Sequence, residues 1–297
     1  MARDEKPLCP PPDPNPHPPK FAMPANASDC HAHVFGPASR YPYQEDRSYT
    51  PRDTPLPMLR ALHETLGIQR LVVVQASAHG VDNRAVLDAV ATDRKNLRGI
   101  AAVTEDVTDR ELAALNEAGV RGIRLNMVDR GGMPFRSLAE VGKFSERIRD
   151  FGWHIELLIH VESRQEELRE LARTVKVPMS VGHMGYTKVA NGGIEHPGYQ
   201  AFLDLLRDGY FWVKLTAPYR ISAHDDFPYP DIAAMAQAVV AAAPDRVVWG
   251  SDWPHVIHYR GMPNDGDLLD ALADWVPDPE QRRRILVENP ERLYGFD

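Results

Sequence analysis

Cysteine is scarce: Cys9 and Cys30 are the two in 297 residues. That is too few for a disulfide framework, and it favours a reducing, cytoplasmic setting. Cys30 lies beside a histidine but is expected to fill a small buried space. No apolar run approaches the length of a membrane-spanning helix and no secretory leader is recognisable, so neither a membrane partner nor export is expected. Basic residues are in the minority, and a net charge of −8 offers no electrostatic footprint for nucleic acid. No glycine-rich phosphate loop follows the first strand-like run, which removes the main support for a doubly wound dinucleotide fold. Internal repeats are absent too.

Proline is plentiful, and much of it is concentrated between Pro7 and Pro24, with a Pro10-Pro11-Pro12 run. Fixed φ and missing backbone donors predict an extended arm over residues 1–27, lying along the main domain or a neighbouring subunit. From residue 28 onward strand-like and helix-like segments alternate. The strands are expected at 28–35, 70–77, 98–104, 119–127, 153–160, 178–183, 211–217 and 246–251. Several are nearly continuous in apolar residues, as in Arg70-Leu71-Val72-Val73-Val74-Gln75, the pattern of strands buried on both faces of a parallel sheet. Apolar positions at three- and four-residue intervals predict amphipathic helices at 57–66, 83–93, 108–118, 137–151, 163–174, 198–208 and 230–243. Eight strands, each followed by a helix, make a closed (β/α)8 TIM barrel, here distorted, as a single domain over 28–297. The connections 36–56 and 184–198 are long and are expected to carry binding residues or a lid at the mouth.

Four side chains mark the chemistry. His31 and His33 form a His-x-His pair whose period-two spacing sends both imidazoles to one face of the first strand. His183 and Asp252 each follow the end of another apolar run. In a barrel all the strands point their C-terminal ends at one mouth, so residues distant in sequence converge there. A lone His-x-His is weak evidence, since histidine has many structural uses. The four together read as a divalent-metal or water-activating site. The alternative for Asp252 alone is a cap on the turn before Pro254, but a buried unpaired carboxylate is costly.

The motifs Asp29 to Pro37, Gln75 to Asn83, Gly119 to Gly122, Gly152 to His154, His183 to Gly185, Trp249 to His255 and Val287 to Tyr294 are jointly specific. They resemble the amidohydrolase superfamily (amidohydrolase-related family 2), and within it most of all the 2-pyrone-4,6-dicarboxylate lactonase group. The resemblance covers nearly everything after residue 27. It implies a hydrolase that opens an anionic lactone, carboxylated or sulfonated, in the breakdown of aromatic compounds. Asp252 would be the general base for water, and His31, His33 and His183 would polarise the carbonyl directly or through a metal. Arg124, Arg130 and Arg220, with Tyr49, Ser77, His79 and His255 nearby, would hold the acid groups of the substrate, since guanidinium forks grip carboxylate or sulfonate.

Two departures limit the likeness: the family's His-Met-Gly-Arg reads His183-Met184-Gly185-Tyr186, so Tyr186 takes an anion clamp's place, and Leu158 stands where a tyrosine is expected. The substrate is therefore expected to be a muconolactone-type or sugar-acid lactone. His160 ends the fifth expected strand. Alone it is equally well a strand cap; with His31, His33 and Asp252 it completes a three-nitrogen, one-oxygen shell for a divalent ion, zinc by donor type. Decarboxylation of an unsaturated acid by the same ligand set, lactone isomerisation, and a non-catalytic subunit are the alternatives. A homo-oligomer is suggested by analogy alone.

Overall fold

The computed structural model describes residues 6–296; residues 1–5 of the expected arm and Asp297 lie outside the described residues. Eight parallel strands run β1 Ser28–Ala32, β2 Arg70–Val74, β3 Leu97–Ala101, β4 Val120–Asn126, β5 His154–Leu158, β6 Met179–Val181, β7 Phe211–Leu215 and β8 Val247–Trp249, hydrogen-bonded in sequence order. Helices α1 Leu56–Leu66, α2 Arg84–Ala91, α3 Asp109–Glu117, α4 Leu138–Arg149, α5 Gln165–Thr174, α6 Pro197–Arg207, α7 Ala233–Ala242 and α8 Asp265–Trp275 alternate with them. This is a TIM barrel. Helix α8 has no counterpart among the expected helices. Its signals were present: an Asn264 cap on the Gly266 N–H, acids in the first turn, then Leu268, Leu269, Leu272 and Trp275 at helical spacing.

Alternation along the strands sorts side chains into two layers. One set, including Leu71, Val73, Ile123, Ile155, Leu157, Val213 and Leu215, is fully buried against the helices and forms the main apolar layer. The other set faces the barrel interior. There Cys30, Val72, Val74, Ile100, Trp212 and Val248 pack with Leu293, Tyr294 and Phe296 from the C-terminal segment. Arg98 stacks over Phe296 and donates to the carbonyls of Tyr294 and Gly295, which ties that segment in place.

The barrel closes through its own site residues. Past the end of β8 the Asp252 N–H donates to the His31 carbonyl of β1, and past the end of β1 the His33 N–H donates to the Trp253 carbonyl, both at 2.8 Å. Below them the buried Asp29 carboxylate accepts from the backbone N–H groups of His31 and Ser251, the Ser251 hydroxyl and His63 Nε2. Burial opposes ionisation of Asp29, but His63 and Ser251 outweigh it and hold the pKa below the ordinary carboxylate value. The strands are shorter than expected at their C-terminal ends because the chain leaves the ladder where the candidate site residues begin.

Residues 7–9 of the arm pair with the β1–α1 loop: the Cys9 N–H donates to Thr50 O and the Thr50 N–H to Pro7 O, each at 2.8 Å. Further along, His17 N–H meets Asn264 Oδ1 and the Lys20 N–H meets Asp270 Oδ1, so the arm also lies on α8. No helix among the described residues is long and apolar enough to cross a membrane.

Two fully buried histidines make stability depend on pH. Burial, reinforced by Lys214, lowers His154 to about 4, and both its ring nitrogens lack a partner. Burial likewise lowers His31 to about 4, against the opposing pull of Glu156. Between pH 6.5 and about 4 the unfolded chain takes up protons that the folded chain refuses. Stability is therefore full above pH 6.5 and declines as pH falls towards 4, by roughly 3 kcal/mol for each histidine. Urea unfolding across that window measures it; a flat profile contradicts this reading of the two rings.

Candidate active site

The loops after β6, β7 and β8 are strained. His183, Met184, Tyr186, Ala217, Asp252, His255 and Ile257 all adopt positive φ between 49° and 63° without being glycine. Such backbone is sparsely populated and costs about 1–3 kcal/mol per residue, and it persists where packing over-determines it. Its effect here is to turn Asp252 and His183 inwards.

At the centre stands Asp252 Oδ1. His31 Nε2, His33 Nε2 and His183 Nε2 lie 3.5, 3.7 and 3.9 Å from it, so three rings converge on one oxygen. The far nitrogens are anchored. His33 Nδ1 donates to the Val74 carbonyl at 2.8 Å, which leaves its Nε2 with a lone pair. His183 Nδ1 lies 2.6 Å from the Thr216 hydroxyl. Asp252 Oδ2 is engaged separately: Tyr219 donates to it at 2.7 Å and Arg220 Nε at 2.9 Å, with Arg220 Nη2 in ion-pair contact at 2.8 Å. Burial opposes ionisation of Asp252, yet Arg220 and the histidines prevail and hold it well below the carboxylate range. Burial keeps His183 neutral despite the Asp252 charge, with its pKa well below the ordinary histidine value.

These groups open onto a narrow cleft lined by His33, Tyr49, Ser77, Arg124, Asp129, Leu158, His183, Tyr186, Arg220, Asp252, Val256 and Ile257. Arg124 enters it from β4 with one guanidinium nitrogen on Gln75 O and a buried Nε that has no partner. An unpartnered guanidinium N–H beside a lysine-free cleft is a ready anion contact. Of the expected residues, Tyr49, Ser77, Arg124, Tyr186 and Arg220 are thus gathered with the histidines and Asp252.

Three residues stand elsewhere. Arg130 is exposed on the β4–α4 loop, where its Nε meets Asp46 at 3.0 Å. His79 packs between Phe35 and Tyr43, with Nδ1 on the Pro42 carbonyl. His255 is fully buried behind the site, between the Tyr219 hydroxyl at 3.0 Å and Asp265 at 3.2 Å.

His160 is the main correction to the expected ligand shell. Among the described residues one group offers three ligand atoms within 4.8 Å of one another, and it is His31, His33 and Asp252. His160 is not in it. Its Nδ1 is 3.0 Å from the Tyr186 carbonyl, and the Tyr186 ring packs against both His160 and His183. The chain leaves β5 at Leu158, so position 160 sits in the following turn, and Leu158 is the β5 residue that lines the cleft. In donor chemistry the His31, His33 and Asp252 group fits a divalent ion: buried imidazole Nε2 atoms, the lone pair on His33 fixed by its backbone anchor, and a carboxylate oxygen.

Several residues at the site escaped the sequence reading. Tyr219, Thr216, Lys214 and Glu156 all bond to the four central side chains or stand beside them. The signal for the last two was visible: a lysine and a glutamate in the middle of otherwise apolar strands, Phe211-Trp212-Val213-Lys214-Leu215 and His154-Ile155-Glu156-Leu157-Leu158. A buried charge on a strand needs a partner, and these two are each other's.

The barrel's strand ends assemble His-x-His, a third histidine and an aspartate around one oxygen, the arrangement of an enzyme active site. The chain belongs to the amidohydrolase family, whose model matches residues 28–296. It is 38% identical to a 2-pyrone-4,6-dicarboxylate hydrolase of Comamonas testosteroni, covering 94% of this chain and 93% of that one. It is 37% identical to a 4-sulfomuconolactone hydrolase of Hydrogenophaga intermedia, over 99% of this chain and 97% of that one. Among solved structures, an apo protein of Agrobacterium tumefaciens superposes with a TM-score of 0.82 at 29% identity, covering 94% of this chain and 99% of that one.

Proposed function

We propose that this amidohydrolase opens an anionic lactone by attack of water on the ring carbonyl. The observation that carries the reading is the division of labour within Asp252. Oδ2 is saturated by Tyr219 and Arg220, while Oδ1 faces the cleft and the three histidine Nε2 atoms. A carboxylate fixed in that way can take one proton from a water standing above Oδ1. The water oxygen bonds to the carbonyl carbon, the carbonyl oxygen gains the negative charge, and imidazole N–H groups around it stabilise that charge. Collapse breaks the ring C–O bond, and the departing oxygen recovers the proton held by Asp252. Arg124, Tyr49, Ser77 and Tyr186 would position the substrate's acid groups, with Arg220 shared between substrate and Asp252.

The hydrolases named above act on carboxylated and sulfonated lactones, and the small cleft with arginines at its edge supports the same class here. Tyr186 and Leu158 favour a ring with fewer anionic groups to clamp than a pyrone dicarboxylate, of the muconolactone or sugar-acid type. His31, His33 and Asp252 would hold a divalent ion, zinc by donor type, which when bound supplies Lewis-acid polarisation of the carbonyl. A pH-indicator assay over pyrone dicarboxylate, carboxy- and sulfomuconolactones and aldaric-acid lactones tests the reading. Acid release from at least one is expected; silence across the panel from folded protein removes the hydrolase assignment.

A further inference from the structure

Lys214 and Glu156 lie beneath the cleft, fully buried, on β7 and β5. The reaction outlined above gives them no part. Yet both reach the inner nitrogen of His31. Lys214 Nζ is 3.2 Å from His31 Nδ1 and Glu156 Oε1 is 3.1 Å from the same atom. Lys214 also donates to the Cys30 carbonyl at 2.7 Å and to Glu156 Oε2.

The hydrogens can be counted. An ammonium has three donors and no acceptor. Around Lys214 stand three polar partners, Cys30 O, Glu156 Oε2 and His31 Nδ1, and the face of the Tyr294 ring, 5.7 Å from Nζ to the centroid. All three ammonium hydrogens reach a hydrogen-bond acceptor among these polar partners if His31 Nδ1 accepts; otherwise one is left to the weaker Tyr294 face. A neutral imidazole that accepts at Nδ1 carries its proton at Nε2. The opposite tautomer would place Nδ1–H on Glu156 Oε1 and turn it towards an ammonium hydrogen that has lost its acceptor. A buried charged donor without an acceptor is the costlier fault, since a carboxylate oxygen still feels the adjacent cation.

We propose that Lys214 fixes His31 as an Nε2–H donor aimed into the cleft, and thereby sets the site's preference between a protein-only oxyanion contact and a bound metal ion. His33 is held in the opposite sense by Val74, with its lone pair outwards. The two histidines of the His-x-His pair are therefore not equivalent: one donates, the other accepts. A metal ion needs both lone pairs. To ligate through Nε2, His31 must carry its proton at Nδ1 and donate it to Glu156 Oε1, which leaves one Lys214 hydrogen with only the Tyr294 face. Lys214 is a positioning residue that weakens metal binding, and Glu156 is the acceptor that keeps the ligand state within reach.

This inference rests on the proposed site, but its test does not use turnover. Nitrogen-15 spectra of histidine-labelled, metal-free protein, with His31 assigned by its loss in His31→Asn, read the tautomer directly. The expected result is an unprotonated Nδ1 and a protonated Nε2; a proton on Nδ1 overturns the proposal. Zinc titration of metal-stripped protein gives the second readout. Lys214→Met leaves Glu156 buried without its partner, so the paired variant Lys214→Met/Glu156→Gln is compared with wild type. The amide oxygen that Glu156→Gln retains can still accept from His31 Nδ1–H, so zinc is expected to bind the paired variant roughly 10- to 100-fold more tightly, the value of one charged hydrogen bond no longer lost. Equal or weaker binding by a folded paired variant contradicts the proposal, and if neither variant folds the wild-type spectrum decides. A protein with the expected tautomer that opens no lactone would remove the lactonase reading and leave this inference standing.

Discussion

Asp252→Asn is expected to lower kcat for lactone opening by about 10²–10⁴-fold, the range lost with a positioned general base, while the barrel stays folded. The amide keeps an oxygen that can accept from Tyr219 and Arg220, where Oδ2 now accepts two hydrogen bonds and an ion-pair contact. It cannot take a proton from water. Because Oδ1 faces three imidazole Nε2 atoms rather than a protein anion-binding group, KM is expected to move little. A fall in kcat with nearly constant KM, and a circular dichroism spectrum equal to wild type, is the predicted result. Near-normal kcat in Asp252→Asn would move the base elsewhere in the cleft.

The second large effect is expected from Arg220→Lys. Arg220 Nε and Nη2 both reach Asp252 Oδ2, and Nη2 also donates to the Val256 carbonyl at 2.8 Å. That planar fork fixes the carboxylate's rotation and ties the β8–α8 loop, including Val256 and Ile257, to the rim of the cleft. A lysine keeps the charge but presents a single ammonium, which cannot hold two directions at once. Losing one or two charged hydrogen bonds at about 1.5–3 kcal/mol each corresponds to a drop of roughly 10²–10³-fold in kcat/KM. The split between the constants separates two roles. A fall in kcat reports lost orientation of Asp252, and a rise in KM reports lost grip on the substrate's acid group. A conservative Lys variant with full activity would show that charge alone suffices.

What could be read in the sequence was what period and residue type express locally. The continuous apolar run of β2 and the period-two spacing of His31 and His33 carry their own geometry, and both stand as strand-end features of a barrel. Arg124 and Arg220 could be placed at the mouth because Arg124 lies near the C-terminal end of β4 and Arg220 in the turn that follows β7. His160 could not be placed. Whether a residue just past a strand continues inwards depends on where the ladder stops; β5 stops at Leu158, and the Val161 N–H already turns to the Gly185 carbonyl. Arg130 failed for a similar reason: its loop folds back so that Asp46 meets it outside the cleft. The Lys214 and Glu156 pair shows the converse. Its two members lie 58 positions apart, and the partnership exists only because β5 and β7 face one lumen. Local pattern flags such a charge as anomalous; only closure of the barrel says what it meets.

Turnover of the best lactone in oxygen-18-enriched water tests the central claim most directly. Hydrolysis by water attack on the carbonyl predicts one labelled oxygen in the newly formed carboxylate, no carbon dioxide, and a product that is no longer a lactone. Unlabelled product that remains a lactone would identify isomerisation, and released carbon dioxide would identify decarboxylation; either would contradict the account.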